Sequence, residues 1–509
     1  MGAAALLLWL HAAWYGHLAD DAYISFRYAR HLAQGHGPVF NPGERVMGFS
    51  NPLWTLLLAG GEALGIAGER LAAPLGAVAA ALLLALLWRW AQTGLHHGPS
   101  RWLLLGFPVA CGTVALWTTA GLEGPLFGLL LTTAALGLAP SSAGPLDGVG
   151  GGGPSQKTML LLGIPVGLAV WTRPEGALFA GALALAQALR TPTWAGRLRV
   201  AALLVAPIAA YGVQLVLIWA YYGDPVPNTW YAKAHPLSPQ LLGRGWTYLV
   251  KFVRAYHYVP AVALGAWLAL GGWRRDGAGR LALALLLAFV AFFLAVGGDA
   301  LVLHRMWAWP LPWLGLLAAE ALDLAVERGV RPRLAVAVAL LALTGLAWPS
   351  FSSRQLTYLR LDEQVVESGR QLGDRLARLP SSTLLAANTI GALAYRSDLP
   401  LVDMLGLTDA TVAKAAGKRL GVPAHESHHG GYVLDRQPDL IVFGVPFLRP
   451  QPLTAAELAA TAQYPSDRDL LADARLASAY QVQPIAVGGQ WVTVWARRAW
   501  LQQHPGLLP

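Results

Sequence analysis

MGAAALLLWLHAAWYGHLADDAYISFRYARHLAQGHGPVFNPGERVMGFSNPLW, residues 1–54, decides the class of this chain. Residues 1–19 are apolar apart from His11 and His17. At about 1.5 Å per residue, a helix of that length covers roughly one hydrocarbon core. The run has no positive leading region and no small-residue cleavage site before Asp20. It therefore reads as an uncleaved first membrane helix rather than a signal peptide. Asp20 and Asp21 follow at the rim, where carboxylates are costly without a purpose or a cation partner. Tyr23, Phe26, Arg27 and Arg30 then recur at helical spacing, which predicts an amphipathic helix lying on the interface.

The whole chain fits this start. Of 509 residues, 55% are hydrophobic and only 13% are charged, against about 25% charged in ordinary soluble domains. Mean hydropathy is +0.46. A soluble globular enzyme and a disordered chain are both excluded. The net charge of +9 points to basic cytoplasmic loops and lipid headgroups rather than nucleic acid. The lone Cys111 permits no disulfide and no Cys-based zinc site within one chain. Further apolar runs lie at about 70–90, 102–118, 124–139, 158–171, 176–189, 199–220, 259–273, 281–297, 306–325 and 334–350. With the first helix they predict about eleven transmembrane helices. The shorter run 52–66 is assigned to the outer face by charge. Leaving it uncrossed puts a basic residue in every inward loop: Arg89 and Arg101, Lys157, Arg190 and Arg197, Arg274 and Arg280, Arg328 and Arg333. The odd count places the C-terminal region outside. Residues 140–155, rich in Gly, Ser and Pro, read as a flexible cytoplasmic loop.

After Ser350 no run is long enough to span. A helix is predicted at about 361–378, and strands at 382–387, 399–403, 439–443 and 491–497. The expected organisation is a transmembrane domain over 1–350, with the outer loop 20–69, and an extracytoplasmic soluble α/β domain over 351–509.

Candidate chemistry gathers on the outer face. Asp20 or Asp21 suits general-base work on a hydroxyl nucleophile, the alternative being capping of the following helix. Glu123 lies in TAGLEGP, and Arg173 and Glu175 in TRPEG. Asp224, Asn228, Lys233 and His235 lie in YYGDPVPNTWYAKAHP; Asp299, His304 and Arg305 lie in GGDALVLHR. Arg173, Lys233 and Arg305 could hold a phosphate at headgroup depth, or form local salt bridges such as Arg173 with Glu175. Asp20, Asp21, Glu123 and Asp299 offer oxygen ligands should a divalent metal take part; no cofactor is required by the sequence. His425-Glu426-Ser427-His428-His429 matches H-E-x-x-H, but Pro423 before it and Gly430-Gly431 after it argue against the long helix that a zinc protease needs. The segment reads as a polar loop.

At these residues the sequence resembles bacterial GT-C glycosyltransferases of the AftB-like arabinofuranosyltransferase type. The block DDAYISFRYARHLAQGHGPVFNPGERVMGFSNPLW is the most specific; GLEGPLF, TRPEG, YYGDPVPNTWYAKA, GGD followed by Arg305, and IGALAYRSDLPLVDMLGLTD follow in the same order, to about residue 445. The GGD block departs from the family in carrying ALVLHR before the arginine. The resemblance implies a polytopic enzyme with an extracytoplasmic active site. Its donor would be a polyprenyl-phosphate sugar, β-D-arabinofuranosyl-monophosphodecaprenol for arabinose members. The family's acidic signature falls on Asp20 and Asp21. Donor contacts would come from Arg27, Glu123, Arg173, Glu175, Asn228, Lys233, Asp299 and Arg305. The acceptor would be a cell-envelope glycan or glycoconjugate, and the location the bacterial inner membrane.

Two rival readings stand beside this one. The same scaffold could carry a mannosyl or other hexosyl transferase, since fold does not fix substrate. A lipid-linked glycan transporter would need a polar path at mid-membrane, often between inverted repeats. Charges here collect at one rim, and no repeat is evident.

Overall fold

Each apolar run identified above is helical in the computed structural model, which describes residues 1–139, 155–275, 277–415, 420–423 and 425–508. The loop read at 140–155 lies outside the described residues except for Ser155. Among the described residues, four helices are long and apolar enough to cross a membrane: Gly68–Gly94, Trp194–Tyr222, Ala278–Val296 and Pro332–Phe351. The pair Gly98–Ala110 and Gly112–Thr119, bent by 57°, makes a fifth if it forms one span. Shorter apolar helices are Gly2–Tyr15, Gly124–Leu138, Gly176–Arg190 and Val259–Ala269. Large apolar side chains such as Leu6, Trp9, Trp14, Leu217 and Leu341 face outward, as lipid contact requires. The chain is a multi-pass membrane protein.

Small residues let these helices touch. A Cβ on Gly76 would meet the Thr118 carbonyl at 2.1 Å, so two backbones are in direct contact there. The bend at Cys111 also serves the outer rim. It turns Thr113 and Trp117 toward the short segment Val302–Trp307, where the Thr113 hydroxyl donates to the Leu303 carbonyl and the Trp117 indole to the Val302 carbonyl. Leu303 and His304 have positive φ, 49° and 54°. This reversal sends His304 into a pocket with Tyr248 and Phe252 and leaves Arg305 on the other side.

The helix Asp20–Ala33 is a correction. It was expected to lie on the interface, yet Ala22 through Ala29 are all buried. It packs against the helix Pro52–Ala63 and under the C-terminal region, where the Arg30 guanidinium sits 3.6 Å from the Tyr395 ring centre. The amphipathic helix Pro239–Ala255 was not foreseen. Its apolar face carries Leu241, Gly245 and Phe252, and Gly245 lies directly against the backbone of Leu294.

Past the long helix Ser353–Leu376 the chain forms one five-stranded sheet: β1 Leu385–Ala387, β2 Leu401–Asp403, β3 Leu440–Val442, β4 Tyr480–Val487 and β5 Gln490–Arg497, in the order β2-β1-β3-β5-β4. β1 pairs in parallel with β2 and β3; β5 runs antiparallel to β3 and β4. β4 was missed because Pro484 interrupts it. An edge strand tolerates that proline, since one side of its backbone needs no ladder bond. Gly488 and Gly489 join β4 to β5 with φ of 58° and 80°, the two-residue turn that needs left-handed backbone twice.

Candidate active site

Asp20 opens its helix after Ala19, and its side chain turns toward the C-terminal sheet region. Its Oδ2 accepts the Gly391 amide at 3.0 Å and its Oδ1 the Ala392 amide at 2.8 Å. These amides begin the helix Gly391–Ser397. A Cβ at position 391 would lie 1.9 Å from the Asp20 carbonyl oxygen, so only glycine permits the approach. Burial raises the Asp20 carboxyl to about 7, against the two amides, which favour the charged form; the charges of Asp21 and Asp362 push it further up.

Asp21 points the other way. Its Oδ2 lies 3.2 Å from Arg305 Nη1, and Arg305 grips Asp299 with Nε and Nη2, each at 3.0 Å. Burial alone would raise Asp21, but Lys233 and Arg305 outweigh it and hold the carboxyl below its ordinary value. Likewise burial disfavours charge on Arg305, yet Asp299 and Asp21 reverse the sign. The Asp21 side chain keeps 36% of its surface open. It is enclosed by protein and reachable by solvent, which describes the floor of a cleft.

A second ion group stands within electrostatic reach of the first. Arg173 donates from Nη1 to Glu123 Oε1 at 2.6 Å and from Nε to Glu175 Oε1 at 2.5 Å. Glu123 also accepts from Asn51 Nδ2 at 2.8 Å, and Ser25 donates to Asn51 at 3.2 Å. Lys233, on the short helix Asn228–Lys233, reaches both groups electrostatically. Its side chain is exposed, and among the described residues its ammonium has no ion pair. Arg173 and Arg305 are each clamped by two carboxylates, whereas Lys233 is available to an incoming anion.

The fold thus brings together Asp20, Asp21, Glu123, Arg173, Glu175, Lys233, Asp299 and Arg305. Arg27 and Asn228 have other work. Arg27, 1% exposed, donates to the carbonyls of Phe40, Ala394 and Leu399. Asn228 donates to those of Gly406 and Leu407. Both tie the helical body to the C-terminal region. The acidic residues considered for a metal are engaged with cations or amides. Among the described residues, His96, Asp323 and Glu327 form the one His/Asp/Glu group whose ligand atoms lie within 4.8 Å of one another. They stand at the far end of the helix Gly68–Gly94, with Arg275 already paired to Glu327.

Sequence reasoning missed Asn51, Gly391 and the contacts of the histidine-rich loop. Asn51 before Pro52 looks like a helix cap; its amide instead holds Glu123. The loop His425–His429 precedes the helix Gly430–Asp435 and is not helical itself. Glu426 in it pairs with Arg244 at 2.6 Å and His235 at 3.2 Å. The glycine requirement gives a direct prediction. Gly391→Ala is expected to cost about 1–3 kcal/mol, as overpacking does, and to displace the Asp20 carboxylate. A lowered thermal midpoint together with lost activity would be seen; an unchanged protein would mean that the two segments separate freely.

Comparisons with known proteins bear on the chain's relatives and its fold. A protein-family model described as a domain of unknown function (DUF8728) matches residues 355–495. A terminal β-(1→2)-arabinofuranosyltransferase of Mycobacterium tuberculosis is 31% identical over 261 residues, covering 48% of this chain and 39% of that protein. One of the same name from Corynebacterium glutamicum is 28% identical over 314 residues, covering 54% and 42%. The chain thus spans about two-fifths of the length of these curated relatives. Among solved structures, ArnT from Cupriavidus metallidurans bound to undecaprenyl phosphate superposes with a TM-score of 0.60 at 14% identity, over 98% of this chain and 97% of that one. Its apo form gives 0.58. In sequence the chain is similar to these terminal β-(1→2)-arabinofuranosyltransferases, and in fold it is similar to ArnT.

Proposed function

We propose that this chain is a membrane glycosyltransferase that moves arabinofuranose from a polyprenyl-phosphate donor to a glycan or glycoconjugate outside the cytoplasm. One observation carries the reading: of two adjacent carboxyls, Asp20 is raised to about 7 by burial, while Asp21 beside it faces a clamped cation, Arg305, and an unpaired one, Lys233. The names of the curated relatives support the sugar, and undecaprenyl phosphate in the ArnT structure supports the lipid class. In this reading the eleven apolar segments all cross, residues 20–69 and 351–509 face the extracytoplasmic side of the inner membrane, and the C-terminal region receives the acceptor.

The donor phosphate lies at headgroup depth against Lys233 and the outer edge of Arg305, with its tail between helices. Asp20 takes the proton of the acceptor hydroxyl. That oxygen attacks C1, the C1–O bond to phosphate breaks, and its electron pair leaves with the phosphate; this single displacement inverts C1, so a β-configured donor gives an α linkage here, unlike the β-(1→2) linkage in the relatives' names. A phosphate monoester departs readily, and a single base suffices. Asp21 keeps Arg305 and Lys233 charged and in place.

The test is transfer from radiolabelled polyprenyl-phosphate arabinofuranose, mannose and glucose to native acceptors by the purified chain. Transfer from the arabinose donor alone is expected; transfer from a hexose donor alone would replace the sugar, and none from any donor would sink the enzyme reading. Lys233→Met should weaken donor binding about 10–100-fold, the worth of a charged hydrogen bond. An unchanged donor KM would remove Lys233 from the phosphate site.

A further inference from the structure

The histidine-rich loop, set aside as a zinc motif, links the segment that holds Asp20 to the one that carries Lys233. Asn388 follows β1 three residues before Gly391, whose amide holds Asp20. Asn388 Nδ2 donates to Asp467 Oδ1 at 2.6 Å, and the Ser466 hydroxyl donates to Asn388 Oδ1 at 2.5 Å. The Tyr464 amide donates to Asp467 Oδ2 at 3.4 Å. Tyr464 is therefore pinned beside the segment that grips Asp20. Its ring stacks on His425, with centroids 5.4 Å apart and planes 11° apart.

The loop is also stitched to the segment carrying Lys233. The Ser427 hydroxyl donates to the Ala232 carbonyl at 3.1 Å. Glu426, 2% exposed, takes Arg244 and His235, the latter two residues beyond Lys233. The stacked rings thus bridge the two sides of the cleft, and Tyr464 stands within electrostatic reach of Asp20. Both side chains are half-buried, so each keeps an accessible portion. His425 Nδ1 faces the Pro423 carbonyl at 2.8 Å. With the proton on Nδ1, Nε2 is an acceptor, and among the described residues nothing occupies it.

We propose that His425 and Tyr464 form the acceptor subsite: a wall that takes the apolar face of a glycan's terminal sugar ring, while His425 Nε2 accepts from one of its hydroxyls. An aromatic body with a polar edge suits a ligand that is apolar on its faces and polar at its rim. The wall belongs to the C-terminal region, whereas the phosphate cations Lys233 and Arg305 come from the helical body. Donor and acceptor therefore meet across Asp20 from opposite sides. This inference rests on the glycosyltransferase reading and names the second substrate of the same cleft.

The test uses the full chain in lipid nanodiscs, with a short arabinofuranosyl oligosaccharide as acceptor and polyprenyl-phosphate arabinofuranose as donor. His425→Ala and Tyr464→Ala should each raise the acceptor KM about tenfold, the worth of an aromatic contact, with kcat falling by less than KM rises and donor KM held. Tyr464→Phe should recover most of the affinity lost in Tyr464→Ala, since it keeps the ring. Calorimetric binding of the same oligosaccharide reads the wall without turnover. Binding that falls in both alanine variants supports the subsite even if no donor tried is turned over, an outcome that would sink only the transferase reading. Unchanged oligosaccharide binding, or a rise in donor KM alone, overturns the subsite.

Discussion

Asp20→Asn is expected to lower kcat about 10²–10⁴-fold, the contribution of a positioned general base. The asparagine keeps the size of the side chain but cannot take a proton. It also turns one NH2 toward an amide that the carboxylate had accepted, so the thermal midpoint must be measured beside the rate. The pH profile separates catalysis from structure. An aspartate at its ordinary value is ionised throughout the neutral range and gives a flat profile. With the carboxyl at about 7, the active deprotonated form is lost as pH falls. The wild-type kcat/KM should therefore rise through about pH 7 and level off above it, losing about tenfold per pH unit on the acid side. Burial is the main cause of the shift, and the Asp21 charge adds to it. Asp21→Asn should thus move the inflection toward acid while weakening the hold on Arg305. A profile flat between about pH 5 and 8, with Asp20→Asn retaining more than a tenth of the rate, would remove Asp20 as the base.

The sequence made the parts of this cleft legible because each is a polar group where polarity is costly. Asp20 and Arg173 follow apolar runs within two residues, Lys233 and Arg305 lie in loops between such runs, and the charge of the loops assigned them all to one face. Apolar periodicity located the helices for the same reason, since lipid-facing stretches need long runs of one residue class. What stayed hidden were pairings across long separations. Nothing local to Gly391 says that Asp20 will lie against it; 371 residues separate the two. Arg27 and Asn228 resembled ligand residues because a buried polar side chain looks the same whether its partner is a substrate or a carbonyl. The helix Asp20–Ala33 is amphipathic in composition, but the C-terminal region covers its polar face, so the surface inferred as a membrane interface is an internal seam. The H-E-x-x-H pattern failed as a metal motif on a local signal, the flanking Pro423 and glycines, while its contacts with Ala232, His235 and Arg244 needed the fold.

Arg305→Ala is expected to be the most damaging change among the cations. Two carboxylates, Asp299 and Asp21, would lose their guanidinium, and Asp299 is only 11% exposed. Breaking a buried ion pair from one side costs about 3–5 kcal/mol; the partial solvent access here puts the effect at about 3, the low end. Activity should fall about 10²-fold or more, because Asp21 is also released and, in the proposed donor site, the phosphate loses a clamped positive charge. Arg305→Lys should recover part of the stability and little of the rate: an ammonium is a point charge and cannot reproduce the bidentate hold on Asp299. The double variant Arg305→Ala with Asp299→Ala distinguishes the two roles. Removing both partners leaves only Asp21 uncompensated, and Asp21 retains Lys233, so stability should return toward wild type. Transfer should not return, since the cation facing the donor is still missing. If the double variant restored transfer along with stability, Arg305 would be a structural pair alone, and the phosphate would be held by Lys233 without it.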